Sequence, residues 1–146
     1  MESIHPLIVH FPIALLLTAL ALDMLAAVLK RPALHRIGLW NLSLGTLAAA
    51  AAVLSGRQAA AVAKHSFEIW QVMELHEHLG ITTLVLGCLA VAWRLSRRDR
   101  FSSTGRLVAL LLMCAMAGTL SYGAYLGGRM VYEFGVGGSF GVLPHP

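Results

Sequence analysis

Seven histidines are the residues of this chain best suited to chemistry, and most of them fall at one end of an apolar segment. Imidazole binds transition metals and haem iron, and it changes charge near neutral pH. His10 lies about one turn inside a predicted helix, and His76 lies at the mouth of another. An ionisable group at that depth should face other helices. We therefore predict a metal or cofactor site at His10 and His76, with His5 and His78 as alternates.

The start of the chain places two histidines close in sequence but not on one helical face. His5 and His10 are five residues apart, which is about 140° around a regular helix. Pro12 cannot donate a hydrogen bond to Ile8 and should loosen the first turns. That distortion could bring the two imidazoles together. The remaining outer histidines, His65 and His145, are more simply interpreted as solvated side chains.

The composition indicates a membrane protein. Of 146 residues, 58% are hydrophobic and 12% charged, whereas a soluble domain is about 25% charged. Four apolar runs are long enough to cross a hydrocarbon core of about 30 Å, and only helices satisfy their own backbone there. The sequence predicts an all-α bundle of four transmembrane helices in a single integral membrane domain, 1–146. The predicted helices are 7–29, 37–55, 67–95 and 107–127, followed by a glycine-rich tail, 128–146.

The basic residues predict the orientation of this bundle. Two short loops, between helices 1 and 2 and between helices 3 and 4, hold eight of the 11 Lys and Arg residues. Lys- and Arg-rich loops stay in the cytoplasm, so both termini should lie on the outer face of a bacterial inner membrane. Because the net charge of +4 belongs to these loops, we predict the lipid bilayer, and no nucleic acid, as partner. The eight residues are Lys30, Arg31, Arg36, Arg94, Arg97, Arg98, Arg100 and Arg106.

The chain also resembles two repeated helical hairpins. Each half has an outer histidine, a helix, a basic loop and a helix that ends in Gly-Arg. These are His5 and Gly56-Arg57 in the first half, and His76 and Gly128-Arg129 in the second. Such a parallel repeat about an axis along the membrane normal would gather both histidines and both arginines at one face.

Arg57 and Arg129 have two interpretations. They could pair with nearby glutamates, or they could bind carboxylates such as haem propionates with two parallel hydrogen bonds. Small residues one and two turns below His76, Gly80 and Thr83, are typical of close helix packing. They could equally leave room for a flat cofactor.

Several segments resemble a bacterial membrane family catalogued as domain of unknown function 2231. They are His5-Pro-Leu-Ile-Val-His10-Phe-Pro12, the Gly56 helix end, His76-Glu77, and the stretch from Gly127 to Gly137. The resemblance implies four helices in a bacterial inner membrane. The family usually ends in Val-Tyr-x-His-Gly-Val-Gly, and Phe134 stands here in the histidine place, which favours a site with two ligands. Relatives resemble redox-associated membrane domains, which favours electron transfer.

These observations together predict a b-type haem near the outer face, held by His10 and His76, with Arg57 and Arg129 neutralising its propionates. The protein would transfer electrons or serve as a subunit of a respiratory or photosynthetic redox complex. Two alternatives stay open: a zinc or copper site at the same histidines, and a cofactor-free structural subunit or homo-oligomer. No nucleophile and base stand at a recognisable spacing, so an electron carrier or accessory subunit is favoured over an enzyme.

Overall fold

The computed structural model describes residues 4–62, 66–97 and 102–136, and this part of the chain is almost entirely helical. Four spans are long and apolar enough to cross a membrane, with α1 and α2 together forming the first. The predicted all-α architecture is confirmed. Lys64, His65, Arg98, Arg100, His145 and most of the glycine-rich tail lie outside the described residues. The helices are α1 (His5–Ile8), α2 (His10–Leu29), α3 (Pro32–Val62), α4 (Phe67–Arg97) and α5 (Ser103–Tyr132).

The helices extend further than the apolar runs predict. α3 continues past Ser55 through alanines, which favour helix without needing lipid around them. Ser102 caps α5, its Oγ accepting a hydrogen bond from the Gly105 amide at 3.2 Å. α5 also runs on through Gly128 to Tyr132, so the predicted tail starts too early. Hydropathy identifies the part of a helix inside the membrane, whereas the helix itself ends where its caps are.

A break at Val9 separates α1 from α2. Pro12 has no N–H to donate to the Ile8 carbonyl, and the next bond, from the Ile13 amide to the Val9 carbonyl, is long at 3.4 Å. The imidazole Nδ1 of His10 lies 2.6 Å from the Pro6 carbonyl and donates to it across the break. The loosening expected from Pro12 is therefore confirmed, although Val9 keeps helical dihedral angles (φ −62°, ψ −22°) and α1 continues into α2 as one span.

The two hairpins, α2 with α3 and α4 with α5, make the most extensive helix contacts and are built alike. Equivalent positions are 71 residues apart, as they are for Asp23 and Arg94. α3 and α5 start at equivalent positions, and the fully buried Ala19 and Leu42 of the first hairpin correspond to the fully buried Ala90 and Met113 of the second. The hairpins are thus related by an approximate two-fold axis along the bundle, with α2 diagonally across from α4.

An apolar layer around Leu16, Leu42, Met113 and Met116 fills the middle of the bundle. It separates two polar regions that lie at opposite ends of the helices. We call the end that carries His5 and His76 the histidine end. We call the end that carries Asp23 and Arg94 the arginine end.

Candidate functional site

Two histidines meet at the histidine end, His5 from α1 and His76 from α4. Their ring centroids are 6.3 Å apart and their planes are nearly perpendicular, at 85°. The two positions are equivalent in the two hairpins, so the pair lies near the two-fold axis. The chain therefore brings together one histidine from each repeat.

The His76 ring is held by the hairpin to which it belongs. Its Nδ1 donates to the Gly123 carbonyl of α5 at 2.8 Å, so the neutral ring carries its lone pair on Nε2. A Cβ at Gly127 would lie 3.2 Å from His76 Cε1, which means that the ring packs directly against the α5 backbone. Metal-binding histidines are commonly oriented by such a bond from their other nitrogen.

His5 is held in the equivalent way. Its Nδ1 lies 2.9 Å from Ser55 Oγ, and the Ser55 hydroxyl donates to the Ala52 carbonyl at 3.0 Å. His5 also has a hydrogen bond to the backbone of Ala52, the residue equivalent to Gly123. A Cβ at Gly56 would lie 2.9 Å from His5 Cε1, closer than real Cβ contacts allow. Both rings therefore depend on a glycine of the neighbouring helix, Gly56 or Gly127.

A cavity of about 170 Å³ adjoins the two imidazoles. It exists because the helix faces around it carry side chains too small to fill the space between the hairpins. Near its base, the hydroxyls of Thr83 and Thr119 share a hydrogen bond of 2.9 Å, so these groups are satisfied without a ligand. The small residues of the wall include Ala49, Ala52, Gly56, Gly80, Gly123 and Ala124.

Charged and sulfur-containing side chains also line this cavity. Arg57 forms an ion pair with Glu77, with 3.2 Å between Nε and the carboxylate, and the exposed fractions of the two side chains are 66% and 37%. Two thioethers, Met73 and Met130, lie along the wall. Met73 is three residues before His76 and therefore shares its helix face. That spacing was a usable signal in the sequence, but an isolated methionine in an apolar run is more simply interpreted as packing.

The predicted pair His10 and His76 is not brought together. His10 is exposed on the surface of α2, where its Nδ1 is occupied by the Pro6 carbonyl. His78 is also exposed and lies on another face of α4 from His76. The histidine that meets His76 is His5, which the sequence offered only as an alternate. Val9 keeps helical dihedral angles (φ −62°, ψ −22°), so His5 and His10 point about 140° apart, as two residues five positions apart do on one regular helix.

Arg129 is not placed at the cavity with Arg57. It donates from Nε to Glu133 Oε2 at 2.8 Å, one turn along its own helix. This contact holds the pKa of the Glu133 carboxyl below its ordinary value. The simpler interpretation of Arg129, pairing with a nearby glutamate, is the one that the structure supports.

Comparison with known proteins places almost the whole chain in one family. A family model described as "Predicted membrane protein (DUF2231)" matches residues 1–139. No curated protein matches the chain, and no solved structure does.

Proposed function

The chain belongs to the DUF2231 family of predicted membrane proteins, and from that premise we propose that it binds a b-type haem between His5 and His76 and transfers single electrons. The observation that carries this proposal is the geometry of the two imidazoles. Two rings that bind one metal ion from opposite sides, with bonds of about 2.0–2.1 Å, have centroids about 6 Å apart. The rings of His5 and His76 are 6.3 Å apart.

The number of ligands supports haem over a bare zinc ion. Structural zinc takes four protein ligands, and catalytic zinc takes three. In residues 4–62, 66–97 and 102–136, no group of three or more His, Cys, Asp and Glu side chains could hold a metal. A porphyrin supplies four nitrogens itself, so two axial imidazoles and apolar walls are sufficient.

The size of the cavity sets a condition on this proposal. Pockets for drug-sized ligands are about 300–1,000 Å³, and the cavity measures about 170 Å³. A haem therefore requires the histidine end to widen. The weakened hydrogen bonding around Pro12 supports such a movement, because the Ile8 carbonyl receives no bond from Pro12 and the Ile13–Val9 bond is long at 3.4 Å. Arg57 would then exchange Glu77 for a propionate.

A second candidate is a copper ion, and a separate observation favours it. Thioether sulfur is a soft ligand that selects Cu(I), and Met73 and Met130 line the same cavity as the two histidines. An ion needs no widening of the cavity. In this alternative His5, His76 and one or both methionines would bind the copper.

The test is a visible spectrum of the protein purified in mild detergent and titrated with haemin. We expect a Soret band and, after dithionite, sharp α and β bands. Loss of a residue that only orients a metal ligand weakens binding roughly 10- to 100-fold. His5→Ala and His76→Ala remove the proposed ligands themselves, so each should weaken haem binding by more than that. His10→Ala and His78→Ala are the matched controls and should bind haem like the wild type.

Two results would contradict the haem. A protein that stays colourless with excess haemin, or binds it equally well without His5 and His76, has no bis-histidine haem. Stoichiometric copper that is lost in Met73→Leu, in a preparation without a Soret band, would establish the second candidate instead.

We also propose that the histidine end faces the periplasm. Four exposed cations, Lys30, Arg31, Arg36 and Arg97, lie at the arginine end, against Arg57 at the histidine end, and the face richer in such residues remains in the cytoplasm. An electron partner would then reach the haem from the periplasmic side of a bacterial inner membrane. A protein partner in a redox complex, or a second copy of the chain, would dock there.

A further inference from the structure

The arginine end contains a polar cluster to which each of the four long helices contributes one residue. Arg94 of α4 is 1% exposed and forms an ion pair with the buried carboxylate of Asp23 from α2. His35 of α3 donates from Nδ1 to the other oxygen of Asp23 at 2.8 Å, and its backbone carbonyl accepts from Arg94 at 2.6 Å. Arg106 of α5 is the fourth member, and it lines a small cavity with the other three.

Arg106 is the member without a direct partner at its Nε. That nitrogen is buried and has no acceptor within the described residues. A buried N–H without an acceptor costs about 1–3 kcal/mol, and inside a membrane no bulk water is at hand to compensate. An acceptor that is not a protein atom would remove this cost.

The repeat explains why the described residues provide no acceptor. His35 and Arg106 are equivalent in the two hairpins, as are Asp23 and Arg94, each pair being 71 residues apart. His35 therefore meets a carboxylate of its own hairpin, whereas Arg106 shares the small cavity with the cationic Arg94. Two cations cannot hydrogen-bond each other. The small cavity therefore lies beside Arg106, where the equivalent residue of the first hairpin, His35, has a direct bond to Asp23.

We propose that one water molecule occupies this space, accepts a hydrogen bond from Arg106 Nε and donates to the Asp23 carboxylate. The cavity measures about 10 Å³, and a single water needs about 10–15 Å³ together with two to four polar partners. A carboxylate has about four acceptor sites, so Asp23 can take this bond besides those from His35 and Arg94. The water links α5 to a cluster that otherwise joins α2, α3 and α4.

The first test is nuclear magnetic resonance of arginine-labelled protein in detergent. We expect a cross-peak between water and the Arg106 Nε–H proton. The Arg106→Lys variant lacks this proton, so the signal that disappears from its spectrum is assigned to Arg106. A spectrum in which Arg106 Nε–H is seen but shows no contact with water overturns the proposal.

The second test uses thermal unfolding in detergent. Arg106→Met should lower the unfolding midpoint, and the loss should shrink in an Asp23→Asn background because the water bridge is already weakened there. Arg36→Met, which removes an exposed cation at the same end, is the control and should change little. A higher midpoint in Arg106→Met would mean that the nitrogen is unsatisfied, and a midpoint that rises saturably with chloride would mean that an anion fills the site. Either result would contradict the proposal that a water molecule bridges Arg106 and Asp23.

Discussion

At the residue scale, the candidate site depends on what lies behind each imidazole as much as on the imidazoles themselves. His76 donates to the Gly123 carbonyl, and His5 is fixed by Ser55 and Ala52. In both cases a glycine lets Cε1 of the ring approach the neighbouring helix backbone closely. The orientation of each imidazole is therefore determined by groups of the helix behind it.

This arrangement predicts graded effects of adding a methyl group behind the rings. Gly56→Ala would place a Cβ 2.9 Å from His5 Cε1, and Gly127→Ala would place one 3.2 Å from His76 Cε1. Overpacking of this kind costs about 1–3 kcal/mol, so we expect haemin affinity to fall about tenfold in the first variant and less in the second. A spectroscopic titration measures both affinities.

The matched control for these variants is Gly118→Ala on α5. A Cβ there meets nothing within 4 Å, and alanine is the better helix former by about 0.5–1 kcal/mol. Its affinity should equal that of the wild type, with equal or higher thermal stability. If Gly56→Ala binds haemin as tightly as Gly118→Ala, the close packing behind His5 does not position a ligand.

At the scale of the elements, the face of the first span that packs on the bundle decides which histidine enters the site, because His5 shares that face with the buried Pro12 and Leu16. α1 carries His5 to the bundle interior, while His10, just after the break, stays on the surface. The bond from His10 Nδ1 to the Pro6 carbonyl spans the break. His10 is thus a structural residue of the turn, and its imidazole supports the placement of His5 without entering the cavity.

We predict that Pro12→Ala restores regular hydrogen bonding and straightens the first turns of the span His5–Leu29. Alanine restores the amide that can donate to Ile8, and proline inside a helix costs about 3 kcal/mol, so the variant should fold and be at least as stable. His5 should move away from His76, and haemin affinity should fall. Circular dichroism and the haemin titration check both effects.

Pro6→Ala is the control for this variant, because proline in the first turn of a helix removes no intrahelical bond. It should leave haemin affinity unchanged. An unaltered affinity in Pro12→Ala would show that the break does not determine where His5 lies.

The sequence predicted the four helical spans well. Each apolar run is long enough to cross a membrane, and in lipid only a helix provides hydrogen bonds for the whole backbone of such a run. It predicted the distortion at Pro12 from the missing amide. It could not choose between His5 and His10, because a run that is apolar on all sides does not show which face of the helix packs against the bundle. The sequence also could not choose between His76 and His78. Positions two residues apart on a helix point about 200° apart, and the contact that holds His76, with Gly123, joins residues far apart in the chain.

At the scale of the whole molecule, two contacts join equivalent positions of the hairpins and so mark the two-fold axis. His5 meets His76 at one end, and Asp23 meets Arg94 at the other. The first pair consists of identical residues, whereas the second consists of opposite charges. The fold is therefore symmetric in its backbone and asymmetric in the side chains that hold its arginine end together.

This symmetry predicts that the ion pair can be reversed. Asp23→Arg alone or Arg94→Asp alone buries two like charges and should cost at least the roughly 3–5 kcal/mol of a broken buried pair. The double variant restores an ion pair, and Arg106 then faces a carboxylate of its own hairpin, as His35 does in the native chain. We expect the double variant to recover most of the folded yield and unfolding midpoint lost in either single variant.

Size-exclusion chromatography and thermal unfolding in detergent measure these losses. Arg36→Gln, at an exposed position of the same end, should change neither quantity. A double variant no more stable than the single ones would show that the surroundings of positions 23 and 94 differ too much for the two halves to exchange roles.

The opposite charges at positions 23 and 94 also give each half of the chain a means of recognising the other. If two first hairpins paired, the carboxylate of Asp23 would lie against a second carboxylate. If two second hairpins paired, the guanidinium of Arg94 would lie against a second guanidinium. Only a first hairpin paired with a second hairpin places opposite charges together at the two-fold axis. One residue per hairpin thus disfavours the pairing of two like halves, whether these come from one copy of the chain or from neighbouring copies.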